Sequence, residues 1–186
     1  MKVIIPYHLE GLLSRFYNTC SFSRYDELVY IYDGYIIFTN GITIIKASIT
    51  QPNEPLNIPD GLYKIDEYVP KKMFIEPTTK EFPDWKEFFN KVYEKIKDKN
   101  TKILKLSFDS EERQMQELLA FAYSNNVIVN YKELLETVKL KLDIAYLIYR
   151  SKKPPMLYIK AEKLLFEQVT LCLHIKNKKR RSLWKS

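Results

Sequence analysis

Few residues in this sequence have the type and spacing that catalysis requires. His8 and His174 are the only histidines, and neither has the spacing to a cysteine or carboxylate that a zinc site needs. A serine or cysteine nucleophile needs an adjacent base, and only these two histidines could supply one. Four isolated glycines do not make a glycine-rich phosphate loop. We therefore predict no metal site, no cofactor and no enzymatic activity.

Carboxylates occur close together at two places in the chain. Asp66 and Glu67 are adjacent, and Asp109 precedes the pair Glu111 and Glu112. Clustered carboxylates can hold the two metal ions of a nuclease. Adjacent acids in polar segments are more often surface charge, which is the interpretation that we favour.

Basic residues are concentrated at the end of the chain. The net charge is +7, and residues 176–186 contain six cations and no acid, which leaves residues 1–175 at +1. A basic arm of this kind is typical of binding to nucleic acid or to an anionic surface. A solvated, disordered end has the same composition, so the sequence leaves both interpretations open.

Length and composition indicate a folded protein. The chain has 186 residues, 46% of them hydrophobic, which is enough for one ordinary domain or two small ones. No apolar run approaches the roughly 20 residues of a membrane span, and the apolar stretch near the N-terminus is too short for a signal peptide. Cys20 and Cys172 lack a closely spaced partner, which is typical of free cysteines. We expect a cytoplasmic protein that does not contact membranes.

The segment 29–49 predicts three β-strands. Asp33-Gly34 and Asn40-Gly41 are dipeptides that favour tight hairpin turns, and the residues around them are mostly β-branched or aromatic. The predicted strands are 29–32, 35–39 and 43–49.

The two ends of the chain share an order of elements. Residues 2–5 are a predicted strand, and apolar residues at helical spacing predict a helix over 8–18, ahead of the three strands just described. Near the other end, 127–130 is a predicted strand whose Asn130 can cap a helix over 131–141. Three further strands are predicted at 143–150, 155–162 and 167–176. Each end therefore has a strand, a helix and three strands.

The segment between these two halves has a different pattern. Residues 51–60 contain three prolines and predict a loop, whereas 61–69 alternates as a strand does. A Pro-Asp pair begins a predicted helix over 85–97. Residues 101–108 read as a strand, and 117–124, "ELLAFAYS", are compatible with a helix or a strand.

A known family shares the order of these elements. Asn130, Leu134, Leu135 and Val138 follow a strand-to-helix pattern, and Leu171-Cys172-Leu173 lies on the last strand. This part of the chain resembles the end of the bacterial DNA polymerase III β subunit, the sliding clamp, which has Met-Pro-Met at the latter position. The hairpin with its Asp-Gly turn is also similar to that family.

Two further segments extend the resemblance. "FPDW", residues 82–85, resembles a segment at clamp domain junctions. Residues 102–126 are similar to the family's strand, acidic loop and strand, which favours an extended conformation for 117–124. Full clamp subunits contain several such domains, and this chain has material for one plus an insertion.

The resemblance implies an α+β, DNA-clamp-like single domain. Its two strand–helix–three-strand halves would be related by a pseudo-two-fold, with antiparallel sheets outside and the helices 8–18 and 131–141 facing DNA. The expected domain spans 1–175 with a helical insertion at about 50–100, and 176–186 is the expected disordered tail.

The resemblance also implies a function. The expected protein is a non-catalytic processivity or scaffold protein of DNA replication that binds duplex DNA without sequence specificity. Its expected partners are duplex DNA, a DNA polymerase or other replication protein, and further copies of itself in an oligomer. Leu171 and Leu173 are the expected partner-binding residues. The expected DNA-binding residues are Arg15, Lys132, Lys139, Lys141, Lys176, Lys178, Lys179, Arg180 and Arg181.

Two alternatives remain open. The four cations on the predicted helices are also what ordinary solubility charge would provide. A small nucleic-acid-binding or regulatory protein that binds mainly through its basic tail would have the same composition.

The apolar residues of these elements form the predicted core, in which we expect Leu135→Ala to cost about 2–5 kcal/mol. The predicted core residues are Leu12, Leu13, Phe16, Ile36, Phe38, Ile44, Leu134, Leu135, Val138, Ile144, Tyr146, Leu157, Ile159, Val169, Leu171 and Leu173.

Overall fold

In the computed structural model, one large antiparallel sheet has helices on both of its faces. For residues 15–19 and 150 only the backbone is described, so the Arg15 and Phe16 side chains lie outside the description. The tail residues 176–186 lie outside it altogether. The described ranges are 1–19, 25, 27–49, 58–69, 71–107, 109–150 and 153–175.

The N-terminal half has the predicted order. The two turns of its meander contain Gly34 and Gly41, whose φ angles of 76° and 82° suit glycine. Its elements are β1 (Lys2–Ile4), α1 (Tyr7–Thr19), β2 (Leu28–Tyr32), β3 (Tyr35–Thr39) and β4 (Thr43–Ser48).

The middle of the chain adds two strands between β1 and β2, one strand at the opposite edge of the sheet, and two helices. The Asp84 side chain caps α2 by accepting a hydrogen bond from the Glu87 amide, as the Pro-Asp signal predicts. The strand β6 was not predicted from the sequence. These elements are β5 (Gly61–Val69), β6 (Lys72–Pro77), α2 (Trp85–Lys95), β7 (Lys102–Lys105) and α3 (Glu111–Ser124).

The C-terminal half has the three predicted strands, and Cys172 separates the last of them from a two-residue extension. Its elements are β8 (Val127–Ile128), 3₁₀ turns at Tyr131–Glu133 and Thr137–Leu140, β9 (Ile144–Arg150), β10 (Lys153–Ala161), a 3₁₀ turn at Glu162–Leu164, β11 (Phe166–Leu171) and β12 (Leu173–His174).

The two meanders meet at the centre of the sheet. The strand order is β1-β6-β5-β2-β3-β4-β11-β10-β9-β7, and β8 pairs with β12 in a separate two-stranded ribbon. The third strands of the two meanders, β4 and β11, are antiparallel neighbours, with Ile44 opposite Val169. The order of the two meanders is the one that the predicted pseudo-two-fold relation requires, whereas β1 joins the large sheet and β8 does not.

The sheet has a helical layer on each face. On one face, here called the helix face, α1, α3 and the 3₁₀ turns at 131–140 cover a core that includes Leu12, Leu118 and Leu134. On the other face, here called the α2 face, Trp85 and Phe89 of α2 pack on strands of both meanders. Alternating side chains of the central strands therefore serve two separate cores.

The predicted helix over 131–141 was wrong in type, because the segment forms two 3₁₀ turns. The Glu133 carbonyl accepts a hydrogen bond from Gln168 Nε2 at 3.0 Å, and Thr137 Oγ1 donates to Gln168 Oε1 at 2.6 Å. These bonds to β11 replace part of the regular helical ladder. The change of geometry also leaves Leu135 36% exposed, whereas Leu134 is fully buried, so the predicted burial of Leu135 was wrong.

The extended conformation expected for 117–124 was also wrong, because these residues belong to α3. The Ser110 hydroxyl accepts from the Arg113 amide and caps the helix. Gln114, Leu118 and Ala122 are buried at helical spacing along one side of α3. Within the described residues, no helix is long and apolar enough to cross a bilayer.

Candidate nucleic-acid and partner-binding surfaces

A groove of about 580 Å³ crosses the helix face between α1, the start of α3 and the second 3₁₀ turn of the segment 131–140. Three carboxylates line it, from Glu10, Glu111 and Glu136, together with Lys139. His8 Nε2 is buried beside it and has no hydrogen-bond partner among the described residues. Burial lowers the pKa of His8 from its usual value, which favours the neutral imidazole.

Close packing between α1 and the 3₁₀ turns fixes the floor of this groove. A Cβ atom on Gly11 would meet the Glu136 carboxylate, so a larger residue there would push the end of that flexible side chain aside. Tyr68 of β5 donates a hydrogen bond to the Glu10 carbonyl at 2.9 Å, which ties α1 to the sheet edge. The groove is therefore a built feature of the fold.

The expected DNA-binding lysines lie on this acidic helix face. Lys132, Lys139 and Lys141 are all exposed, and Lys139 pairs with Glu136 at 2.8 Å. Acids outnumber cations among the described side chains of α1, α3 and the residues that flank them on this face. The acids are Glu10, Asp109, Glu111, Glu112, Glu117, Glu133 and Glu136, and the cations are Arg113, Lys132, Lys139 and Lys141.

The remaining expected DNA-binding residues cannot be placed on this surface. Arg15 lies on α1, but its side chain is outside the description. The five expected residues of the tail, from Lys176 to Arg181, also lie outside it.

A second concave site lies beside Leu171 on the α2 face. This pocket of about 240 Å³ lies at the end of β4 and β11, under the first turns of α2. Ile42, Ile44, Phe88, Val169 and Leu171 make its lining largely apolar. An apolar pocket of this size can receive a large apolar side chain of a partner.

The β3–β4 turn shapes the rim of this pocket. The Asn40 side-chain oxygen accepts hydrogen bonds from the Ile42 and Thr43 amides at 3.0 and 2.8 Å. Gly41 is in the left-handed region at φ 82°. The turn holds the Ile42 side chain at the rim, where it is 49% exposed.

A half-buried polar cluster holds α2 over the sheet and so positions the Phe88 wall of the pocket. Glu167 accepts hydrogen bonds from the Tyr93 hydroxyl at 2.6 Å and the Tyr158 hydroxyl at 2.8 Å. Lys46 Nζ pairs with the same carboxylate at 3.2 Å. Burial, together with the hydrogen bond to Glu167, raises the pKa of Tyr93 well above its usual range.

The two expected partner-binding leucines are in different environments. Leu171 is partly buried in the pocket lining, whereas Leu173 is 70% exposed on the β8–β12 ribbon, opposite Ile128. The predicted burial of Leu173 in the core was therefore wrong. Between them, Cys172 donates its amide to the Pro155 carbonyl at 2.9 Å, and burial raises the pKa of its thiol to about 12.

Sequence reasoning found Leu171 but missed the other walls of the pocket. Ile42 follows the Asn40-Gly41 dipeptide, and Phe88 follows the "FPDW" segment, so both lie beside signals that the sequence does contain. Their convergence depends on the β4–β11 pairing, which joins residues far apart in the chain.

The arrangement of the sheet can be compared with known proteins. No family model matches the chain, and no curated protein matches it. Among solved structures, a putative DNA polymerase III β subunit from Eubacterium rectale matches with a TM-score of 0.51 and 10% identity, over 93% of this chain. The chain has a sliding-clamp-like fold. It spans 65% of the length of that neighbour.

Two other bacterial clamps match less closely. DNA polymerase III subunit β from Borrelia burgdorferi matches with a TM-score of 0.47 and 12% identity, over 95% of this chain and 65% of that one. The Helicobacter pylori β clamp bound to a DNA ligase peptide matches with a TM-score of 0.44 and 13% identity, over 93% of this chain and 64% of that one.

Among the described residues, no group of three or more His, Cys, Asp or Glu side chains is arranged to hold a metal ion.

Proposed function

We propose that this protein is a non-catalytic, clamp-like scaffold or processivity protein of DNA replication. The observation that carries the proposal is the clamp-like sheet, in which two meanders meet at β4 and β11 with helices on one face. The fold neighbour from Eubacterium rectale is described as a putative DNA polymerase III β subunit, which supports the same class of function.

In this proposal the pocket beside Leu171 receives apolar side chains of a replication protein. The pocket is apolar, is framed by a well-defined turn, and lies next to the Leu171-Cys172-Leu173 segment. Leu173 is exposed close by in sequence and adds apolar surface for the same partner. The catalytic activity would belong to the partner.

Duplex DNA is the second partner in this proposal, and residues 176–186 are its main contact. The six cations of this tail face no acid within the tail, whereas the lysines of the helix face lie among carboxylates. Phosphate contacts of this kind carry no sequence information, so binding is expected to be independent of sequence.

A second candidate function is favoured by the acidity of the helix face. A small nucleic-acid-binding protein that uses only its tail needs no ring and no basic inner surface. The clamp-type mechanism, by contrast, requires an oligomer, because a single domain cannot encircle DNA and the edge strands β1 and β7 would have to pair between subunits.

Light scattering at high protein concentration, with and without a random-sequence duplex, separates these two candidates. The clamp-like function predicts an oligomer whose proportion rises when DNA is present. A strict monomer under both conditions, together with duplex binding, would contradict encirclement and support the tail-only function.

The pocket is tested with two isoleucines of similar exposure. Peptides that the wild-type protein selects from a displayed random library should carry large apolar side chains. These peptides should bind roughly tenfold more weakly to Ile42→Ser, because that loss of affinity is expected when one buried apolar contact is removed. Ile103→Ser on β7 is the control, because Ile103 is 55% exposed and lies far from the pocket in the sheet order. Equal loss in both variants, or no selected peptide, would contradict a binding pocket at Leu171.

A further inference from the structure

Exposed and half-buried acids of the helix face lie on α3 and around the groove. Glu112 is exposed in the first turn of α3, beside Glu111 at the groove edge, and Glu117 lies farther along the same helix. Glu117 pairs with Arg113 and Glu136 with Lys139. Among the described residues, Glu10, Glu111 and Glu112 have no cation within ion-pair distance. We call Glu10, Glu111, Glu112, Glu117 and Glu136 the acidic strip.

The basic tail starts at the opposite end of α3. The Ile175 amide donates to the Asn126 carbonyl at 2.8 Å, two residues after the end of α3. Eleven extended residues reach about 36 Å, whereas the 14 residues of α3 span only about 21 Å. Residues 176–186 are therefore long enough to return along α3 to the groove.

Charge complementarity indicates what this strip can bind. The strip repels phosphate and attracts a segment rich in lysine and arginine, and residues 176–186 supply six such side chains with no acid. Tyr123, which is 73% exposed in the last turn of α3, adds an aromatic ring on which an arginine of the tail can stack.

We propose that residues 176–186 bind the acidic strip of the same chain. Because the two segments are parts of one chain, the contact forms at high effective concentration even though each exposed ion pair is weak. Carboxylates and DNA phosphates compete for the same cations, so a tail held by the strip is less available to DNA. The contact itself forms without DNA and does not depend on the proposed function.

The contact is tested on the full chain by zero-length carbodiimide cross-linking of lysine amines to carboxylates, followed by mass spectrometry. We expect cross-links within one chain from the tail lysines to Glu111 and Glu112, with loss of most of them at about 0.5 M salt, where the Debye length is only a few ångströms. Cross-links spread evenly over the exposed acids of both sheet faces would overturn the proposal.

A matched pair of variants makes the test specific. The double variant E111Q/E112Q keeps the side-chain shape, and it should lower the yield of tail cross-links to the remaining acids of the strip about fivefold, as expected for the loss of two exposed ion pairs. The control is E81Q/E94Q, which removes two exposed acids before and within α2. An equal reduction in both variants, or no reduction in either, would contradict the proposal.

Two further outcomes decide whether the contact is within one chain. Cross-linked dimers as the main product would overturn binding within the chain and indicate that the tail binds a second copy.

Thermal melting of each variant checks that the fold is intact. If E111Q/E112Q lowered the melting temperature, changing Arg180 and Arg181 to glutamate in the wild-type body would provide the same test and keep the tail lysine amines that react. An undiminished yield of cross-links to Glu111 and Glu112 would then overturn the proposal.

Discussion

The two faces of the central sheet differ in the kind of surface that they expose. The helix face has a groove lined by Glu10, Glu111 and Glu136, whereas the α2 face has an apolar pocket lined by Ile42 and Leu171. The sheet separates the two surfaces, because successive side chains of a strand point to opposite faces. Binding to the helix face should therefore be salt-sensitive, and binding to the α2 face should depend on apolar area.

This difference bears on where DNA binds. A surface on which carboxylates outnumber cations is a poor site for phosphates, although its helices were expected to face DNA. In our proposal, clamp-like architecture provides the scaffold and the partner pocket, and the tail provides the main contact with DNA. In this proposal, the fold and the charges that contact DNA are thus separate properties of this chain.

The largest expected effect concerns the buried core of the helix face. Leu134 is fully buried beneath the first 3₁₀ turn, so Leu134→Ala should lower the free energy of unfolding by about 2–5 kcal/mol. Its neighbour Leu135 is 36% exposed, and Leu135→Ala should cost under about 1 kcal/mol. Urea denaturation measures both values. Equal losses would contradict the 3₁₀ geometry of this segment.

The next effect concerns the polar anchor of the α2 face. Glu167→Ala leaves Lys46 and the hydroxyls of Tyr93 and Tyr158 without their shared acceptor, and should cost about 2–3 kcal/mol. Glu167→Gln is the control, since it keeps an acceptor oxygen and should lose less. We also expect Glu167→Ala to weaken peptide binding at the pocket, because Phe88 lies on the helix that Glu167 anchors. Unchanged unfolding in Glu167→Ala would show that α2 is held by apolar packing alone.

The smallest effect concerns the groove of the helix face. Because burial lowers the pKa of His8 below 6.5, the folded state binds a proton less readily than the unfolded state. This contribution to stability is present above pH 6.5 and is lost as the pH falls through the lowered pKa. Between about pH 7.5 and about pH 5.5, the melting temperature should therefore fall more for the wild type than for His8→Gln. Parallel curves would contradict a buried, neutral His8.

The strands were largely predictable because their signals are local. Asp33-Gly34 and Asn40-Gly41 fix tight turns, and the β-branched and aromatic residues around them suit strands, so β2, β3 and β4 were predicted within a few residues. The Pro-Asp pair predicted the start of α2 correctly for the same reason. By contrast, the 3₁₀ turns at 131–140 could not be predicted in this way. Thr137 and the Glu133 carbonyl form hydrogen bonds with Gln168 on β11, and no local sequence pattern reveals this contact.

The candidate sites were less predictable, because they depend on residues distant in sequence. Leu171 was found through a resemblance, but Ile42 and Phe88 join it only after β4 pairs with β11 and α2 packs above them. The acidity of the helix face was also missed, because the start of α3 was expected to be an acidic loop and 117–124 a strand, so its acids were not placed beside Glu10. The lysines of that surface, considered without its acids, led to the prediction of a DNA-binding face.

The central claim is that the tail, and not the helix face, carries most of the binding to duplex DNA. The decisive measurement is the slope of log affinity against log salt for a random duplex. We predict that removing residues 176–186 flattens this slope by up to about 5, at roughly 0.9 for each cation that contacts a phosphate. Changing Arg15, Lys132, Lys139 and Lys141 to alanine should leave most of the slope intact. If truncation leaves the slope intact and the four substitutions abolish it, or if the unmutated protein binds no duplex at low salt, the claim is wrong.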